Sequence, residues 1–187
     1  MRYTSSFFVL VIAMAVCADG RAQTPTYSNV GKTPSKEEIQ AWKISVDPEG
    51  NNLPPGSGTA KAGAKIYAEK CASCHGPTGA GDKLGPSLTG GKGTLNTPTP
   101  VKTVGSCWPF ATTVWDYINR AMPWNEGGSL DADEVYALTA FVLYRNDIIQ
   151  ESDVIDAKSL PKVPMPNRNG FVPPRPEWKA PSGDRRD

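Results

Sequence analysis

Histidine is almost absent from this chain, whose 187 residues include one, His75. A Ser-His-Asp catalytic triad needs a histidine that is not otherwise engaged, and a histidine-based zinc site needs more than one. Because His75 belongs to a cysteine motif described below, the sequence supports neither kind of site.

Cysteine is also scarce, with four in the chain. Cys17 lies in the N-terminal segment. Cys71 and Cys74 form one close pair, and Cys107 stands alone. No second pair exists to complete a four-cysteine zinc site. Since Cys107 has no evident disulfide partner, we expect a small packed apolar side chain there; a reactive thiol or a metal ligand is the alternative.

The chain carries no excess of either charge: 20 basic and 19 acidic residues give a formal net charge of +1. Removing residues 1–22, which contain Arg2, Arg21 and Asp19, makes the two numbers equal. This balance offers no support for nucleic-acid binding. It also predicts no strong long-range steering, so docking to a partner would rely on a local patch.

No apolar run is long enough to span a bilayer, which needs about twenty residues. The run from 7 to 16 follows a basic start and precedes small and polar residues, a pattern typical of a secretory signal peptide at residues 1–22. We expect cleavage after Ala22, with Gly20 as the competing site; Cys17 raises a lipoprotein alternative. The mature chain is therefore expected in the periplasm, without a transmembrane segment.

The most specific motif is Cys71-Ala72-Ser73-Cys74-His75. C-x-x-C-H is the attachment site of a c-type haem: both thiols form thioethers to the haem, and the histidine becomes the proximal iron ligand. The alternative is a redox dithiol or half a zinc site, but no βαβ pattern surrounds the motif. Export favours haem c, because its thiols are handled outside the cytoplasm.

A second axial ligand is needed to complete six-coordinate iron, and methionine is the candidate once histidine is used. The mature chain contains two methionines, Met122 and Met165. Met122 is preferred because it lies between a helix end and Pro123, where a loop can turn the thioether towards a haem; Met165 lies in the tail, beyond the core. A histidine–methionine pair also raises the haem potential. Cys107 is a third option.

The predicted organisation is an N-terminal extension at 23–56, a helical domain at 57–147 and a proline-rich wrapping tail at 148–187. One helix, capped by Ser57 or Thr59, runs into the cysteine motif. A second spans 111–121. A third runs from Asp131 to about 145, where Asp131 and Glu134 form a capping-box pair.

This order of helix, C-x-x-C-H, Gly85-Pro86-x-Leu88, helix, Met122-Pro123 and capped helix resembles a class I cytochrome c. The resemblance implies an all-α core around one covalent haem, with irregular extensions at both ends. It implies that the Pro86 carbonyl accepts a hydrogen bond from His75 and tunes its basicity. It also implies that Leu88 lines the haem pocket and that the first helix packs at Gly63 against Phe141 of the last.

Longer stretches are similar to the cytochrome subunits of bacterial sulfane dehydrogenase, of the Sox sulfur-oxidation system, and of sulfite dehydrogenases. The similar stretches are residues 53–58, 100–113, 115–117, 120–123, 156–161 and 165–168. This resemblance implies a non-enzymatic subunit that accepts electrons singly from a molybdenum-containing dehydrogenase subunit and passes them to a downstream acceptor. The alternatives are a haem enzyme acting on a sulfur compound or peroxide, and a generic soluble shuttle.

Overall fold

The computed structural model describes residues 30–172. The predicted signal peptide and the last fifteen residues, 173–187, lie outside the described residues. The chain divides into two units at Trp42 and Lys43. In the first unit, helix α1 (Lys36–Trp42) begins with a capping box: the Ser35 hydroxyl accepts the Glu38 amide at 3.1 Å, and the Glu38 carboxylate accepts the Ser35 amide at 2.7 Å.

In the described part of the second unit, the regular secondary structure is mainly helical, which confirms the predicted all-α class. It also contains a two-stranded antiparallel ribbon that pairs Gly58 with Ile155. Each strand has three residues, too few for an alternating pattern to predict it. In chain order the elements are β1 (Ser57–Thr59), α2 (Ala60–Lys70), α3 (Ala72–His75), α4 (Ala111–Ala121), α5 (Ala132–Tyr144), β2 (Val154–Asp156) and a 3-10 turn (Leu160–Lys162).

The predicted helix caps are present. Thr59, rather than Ser57, caps α2, because its hydroxyl accepts the Ala62 amide at 3.3 Å. At α5, the Asp131 carboxylate accepts the Glu134 amide at 2.8 Å, and the Glu134 carboxylate accepts the Asp131 amide at 3.1 Å. These local bonds satisfy amides that the first turn of a helix leaves free, so they fix where each helix begins.

Helices α2 and α5 cross at a glycine, as the class I resemblance implied. A Cβ added at Gly63 would overlap the Ala137 carbonyl and lie 2.9 Å from the Phe141 Cβ. One turn further along α2, the Tyr67 and Phe141 rings pack with their centroids 4.7 Å apart. The absence of a side chain at Gly63 therefore lets the two helix backbones approach, and the aromatic pair fills the space beside the crossing.

The hydrophobic core extends beyond both limits predicted for the helical domain. On the N-terminal side it includes Val46. On the C-terminal side it includes Met165, which is only 4% exposed, so the expectation that Met165 lies beyond the core was wrong. Its companions from the tail are Ile149, Ile155, Leu160 and Val163. Each buried aliphatic side chain contributes about 1.5–3 kcal/mol, so this burial holds residues 149–165 of the tail against the core.

Polar contacts add to this packing. The Asn167 amide donates to the Cys107 carbonyl at 2.8 Å, and the Arg168 guanidinium lies 5.2 Å from the centre of the Phe110 ring. The tail thus contacts the segment that leads into α4. Among residues 30–172, no helix combines the length and apolar character needed to cross a membrane.

Candidate haem site

The His75 imidazole is oriented by a backbone carbonyl. Its Nδ1 lies 2.8 Å from the Pro86 oxygen. A carbonyl can only accept a hydrogen bond, so Nδ1 must carry the proton and donate. In the neutral form of the imidazole, the lone pair then lies on Nε2. This is the tautomer that a metal-ligating histidine requires, with its second nitrogen engaged by an outer partner.

Gly85 allows the loop to pass this close to the histidine. A Cβ at Gly85 would lie 3.0 Å from the His75 Nδ1 and 2.9 Å from the Cys74 carbonyl. Backbone bonds then close the loop: the Gly81 amide donates to the His75 carbonyl at 2.9 Å, and the Leu88 amide donates to the Gly79 carbonyl at 2.8 Å. The Gly-Pro-x-Leu segment is therefore folded back on the cysteine motif.

Tyr67 ties the same motif to the helical core, a role that its sequence position did not reveal. Its hydroxyl donates to the Gly76 carbonyl at 2.8 Å, directly after His75. Burial raises the pKa of Tyr67 to about 12, with Cys71 adding to the rise and Arg145 opposing it. The hydroxyl is consequently protonated, and remains a donor, across the physiological range.

The two motif cysteines lie three residues apart, at either end of one helical turn. Cys71 follows α2 and Cys74 lies within α3, both half-buried. Burial raises the pKa of Cys71 to about 11, the nearby Cys74 adds to the rise, and Lys70 opposes it. Redox dithiols work through a lowered thiol pKa. The environment of Cys71 therefore disfavours the redox-dithiol alternative.

Met122 lies at the C-terminal end of α4, where its amide donates to the Ile118 carbonyl at 3.1 Å. Unlike Met165, which the core encloses, Met122 is only half-buried. Its backbone is extended, so the chain leaves the helix at this residue as the following proline requires. Met122 is therefore not enclosed by the hydrophobic core.

The last turns of α4 are held by a buried carboxylate. Asp116 pairs with Arg120 one turn later and accepts the Val46 amide at 3.1 Å. The loop after Met122 folds back against the end of the helix. Gly127 lies so close to it that an added Cβ would be 2.7 Å from the Arg120 carbonyl. These contacts hold the C-terminal half of α4, which ends at Met122. No sequence pattern signalled the bond between Asp116 and Val46, which are 70 residues apart.

Two predicted positions remain, Leu88 and Cys107. Leu88 is half-buried and packs against the edge of the hydrophobic core. Cys107 is half-buried rather than enclosed, and its amide donates to the Thr103 carbonyl at 2.9 Å. A free thiol on a hydrogen-bonded loop fits a packing role, although the side chain is less buried than expected.

Comparisons with known proteins agree with this geometry. The family model of cytochrome c oxidase, cbb3-type, subunit III matches residues 58–142. A chain of the sulfane dehydrogenase SoxCD from Paracoccus pantotrophus superposes on this one with a TM-score of 0.71. The two are 43% identical over 78% of this chain and 71% of that chain. The chain belongs to the cytochrome c family.

Membership confirms the resemblance inferred from the residues. As a cytochrome c, the chain is an electron-transfer component, and its family implies haem c as cofactor. The donor set fits that group: a C-x-x-C pair of half-buried thiols next to an imidazole whose Nε2 is left free by the Nδ1 bond to Pro86. A half-buried methionine on another helix completes the set of candidate ligands.

Proposed function

We propose that this chain is a periplasmic, mono-haem electron-transfer cytochrome c. It accepts electrons one at a time from a molybdenum-containing subunit that oxidises a sulfur compound. The observation that carries the haem assignment is the 2.8 Å contact between His75 and Pro86 directly after C-x-x-C, because it leaves Nε2 ready to bind iron. When bound there, haem c supplies reversible one-electron chemistry.

The residues take distinct roles in this proposal. Cys71 and Cys74 would hold the haem covalently, each thiol adding across one vinyl group to give a thioether. His75 and Met122 would bind the iron, and Leu88 would contribute to the pocket wall. Pro86 sets the tautomer of His75 and increases its basicity. A soft thioether ligand together with an imidazole would favour the ferrous state, which would raise the potential to a range suited to accepting electrons.

The partner is inferred from the similarity to a chain of sulfane dehydrogenase SoxCD. Oxidation of a sulfur centre by two electrons would require two successive transfers to a one-electron acceptor. We therefore assign the sulfur chemistry to the partner subunit and only electron transfer to this chain. Reduced protein would then be reoxidised by a downstream acceptor, which completes the cycle.

Covalent attachment is tested by expressing the chain with the cytochrome c maturation machinery. The wild type should retain haem colour on a denaturing gel, since thioether bonds survive denaturation. The double variant Cys71→Ala, Cys74→Ala should lose it, whereas Cys107→Ala should keep it. Haem that stays covalently attached to the double variant would place the site elsewhere.

The distal ligand is tested by comparing two methionine variants. Met122→Ala should abolish the weak far-red absorption band of methionine-ligated ferric haem and lower the potential. Met165→Ala should keep the band, although it should destabilise the fold by about 2–5 kcal/mol because it empties a core position. If Met165→Ala abolishes the band and Met122→Ala keeps it, Met165 is the ligand and Met122 is not. A high-spin wild type would instead favour a haem enzyme with an open iron site.

A further inference from the structure

One amide side chain links the end of α5 to the loop that carries Pro86. Asn146 follows the C-cap of α5. Its Nδ2 donates to the Val142 carbonyl at 2.8 Å and to the Leu88 carbonyl at 3.1 Å. Its Oδ1 accepts the Gly90 amide at 3.1 Å. Two carbonyls face the amino group and one amide faces the oxygen, so only one orientation of this side chain satisfies its neighbours.

The segment from 86 to 90 is consequently held at both ends. At its start, the Pro86 carbonyl meets His75 Nδ1 at 2.8 Å. At its end, both backbone groups of Gly90 are bound: the amide by Asn146, and the carbonyl by the Thr103 hydroxyl at 2.5 Å. Residues 76–110 contain no helix or strand, so these bonds replace the regular structure that would otherwise fix the loop.

Gly105 provides the space that the Asn146 side chain occupies. A Cβ at Gly105 would overlap the Asn146 Oδ1, lie 2.7 Å from its Cγ and lie 3.1 Å from its Cβ. A methyl group at 105 and the native position of the Asn146 amide are therefore incompatible. A substitution at Gly105 can therefore displace the Asn146 side chain while leaving Asn146 itself unchanged.

We propose that Asn146 is a positioning residue for the proximal side of the haem site. It anchors Leu88 and Gly90 to α5, and it thereby keeps the Pro86 carbonyl against the His75 imidazole. The strength of that hydrogen bond controls how basic the imidazole is, and with it the balance between ferric and ferrous iron. The inference rests on the proposed function, because it takes His75 as an iron ligand.

The test uses the full, haem-loaded chain and its reduction potential. Asn146→Ala should loosen the 86–90 segment, weaken the bond to His75 and make the imidazole less basic. A less basic ligand donates less charge to ferric iron, so the potential should rise. The expected change is a few-fold in the reduction equilibrium, below the tenfold change that corresponds to about 59 mV for one electron. The far-red methionine band should persist.

Two further variants separate positioning from general destabilisation. Gly105→Ala should raise the potential in the same direction, because its methyl displaces the Asn146 amide. The double variant should change little beyond Asn146→Ala alone, since the displaced group is already gone. Thr139→Ala is the matched control: its buried hydroxyl bonds to the Val135 carbonyl within α5, so it should lower stability without changing the potential.

A second measurement needs no variant. Hydrogen exchange of the wild type should show a protected Gly90 amide and a rapidly exchanging Gly93 amide, whose residue lies in open space. An unprotected Gly90 amide would overturn the proposal, even if Asn146→Ala failed to fold. So would unchanged potentials in Asn146→Ala and Gly105→Ala with haem fully bound. A wild type without haem, or without His75 as ligand, would refute the proposed function instead.

Discussion

The hydroxyl of Tyr67 offers a sharp test of how the cysteine motif is attached to the core. Tyr67→Phe removes one oxygen and leaves the ring that packs on Phe141. The lost bond is the 2.8 Å contact to the Gly76 carbonyl, and Gly76 is itself buried. Leaving a buried acceptor unsatisfied costs about 1–3 kcal/mol. For a chain of this size, that corresponds to a melting temperature lower by about 2–12 °C.

The assay is denaturant unfolding of the haem-loaded protein, followed by far-ultraviolet circular dichroism. Tyr117→Phe is the matched control, because Tyr117 is 46% exposed and its hydroxyl can bond to water. The control should lie within about 0.5 kcal/mol of the wild type, as surface substitutions usually do. If Tyr67→Phe is no less stable than Tyr117→Phe, the Tyr67 hydroxyl does not hold the cysteine motif to α2.

Three further outcomes are expected. Gly63→Ala should destabilise the fold, because its methyl group overlaps the Ala137 carbonyl. This cost should exceed the helix propensity that alanine gains over glycine, about 1 kcal/mol. A variant with a higher melting temperature than the wild type would contradict this. Asp131→Ala should cost about 1 kcal/mol by removing the α5 cap, and Asp131→Asn should recover most of it. Burial raises the pKa of Tyr67 and of Tyr136 to about 12 from 10.0, so both bind protons more tightly when folded. This contribution to the free energy of unfolding should therefore be intact below pH 10 and be lost as pH rises from there towards 12. The loss should be smaller in Tyr67→Phe. If denaturant titrations show the same pH dependence in Tyr67→Phe and the wild type, Tyr67 makes no such contribution.

Features encoded in short stretches of sequence were predictable. Helix α4 has the bounds expected from its apolar spacing and the proline after it. The α5 capping box is formed by Asp131 and Glu134, as their separation of three residues predicted. The close contact of Gly63 with α5 followed from the class I resemblance. In each case, residues within one or two turns, or a family pattern, carry the information.

Features that join distant parts of the chain were not predictable. The β1–β2 ribbon pairs three-residue segments almost a hundred positions apart, and neither segment has a strand-like pattern. Proline-rich sequence predicts an extended tail outside the core, and this placed Met165 wrongly. An extended segment can still bury every second or third side chain. Asn146 bonds to residues 56 and 58 positions away, and an asparagine after a helix looks like an ordinary cap.

The central proposal is that a partner subunit carries out the sulfur chemistry while this cytochrome only accepts electrons, and one absorbance experiment tests it most directly. Isolated, oxidised protein is mixed with sulfite, thiosulfate or a protein-bound persulfide, and the reduced haem band is followed in time. The protein should stay oxidised alone and become reduced rapidly once the cognate molybdenum subunit is added. Rapid catalytic turnover by the isolated chain would contradict the account, as would a haem that stays oxidised with the active partner and substrate present.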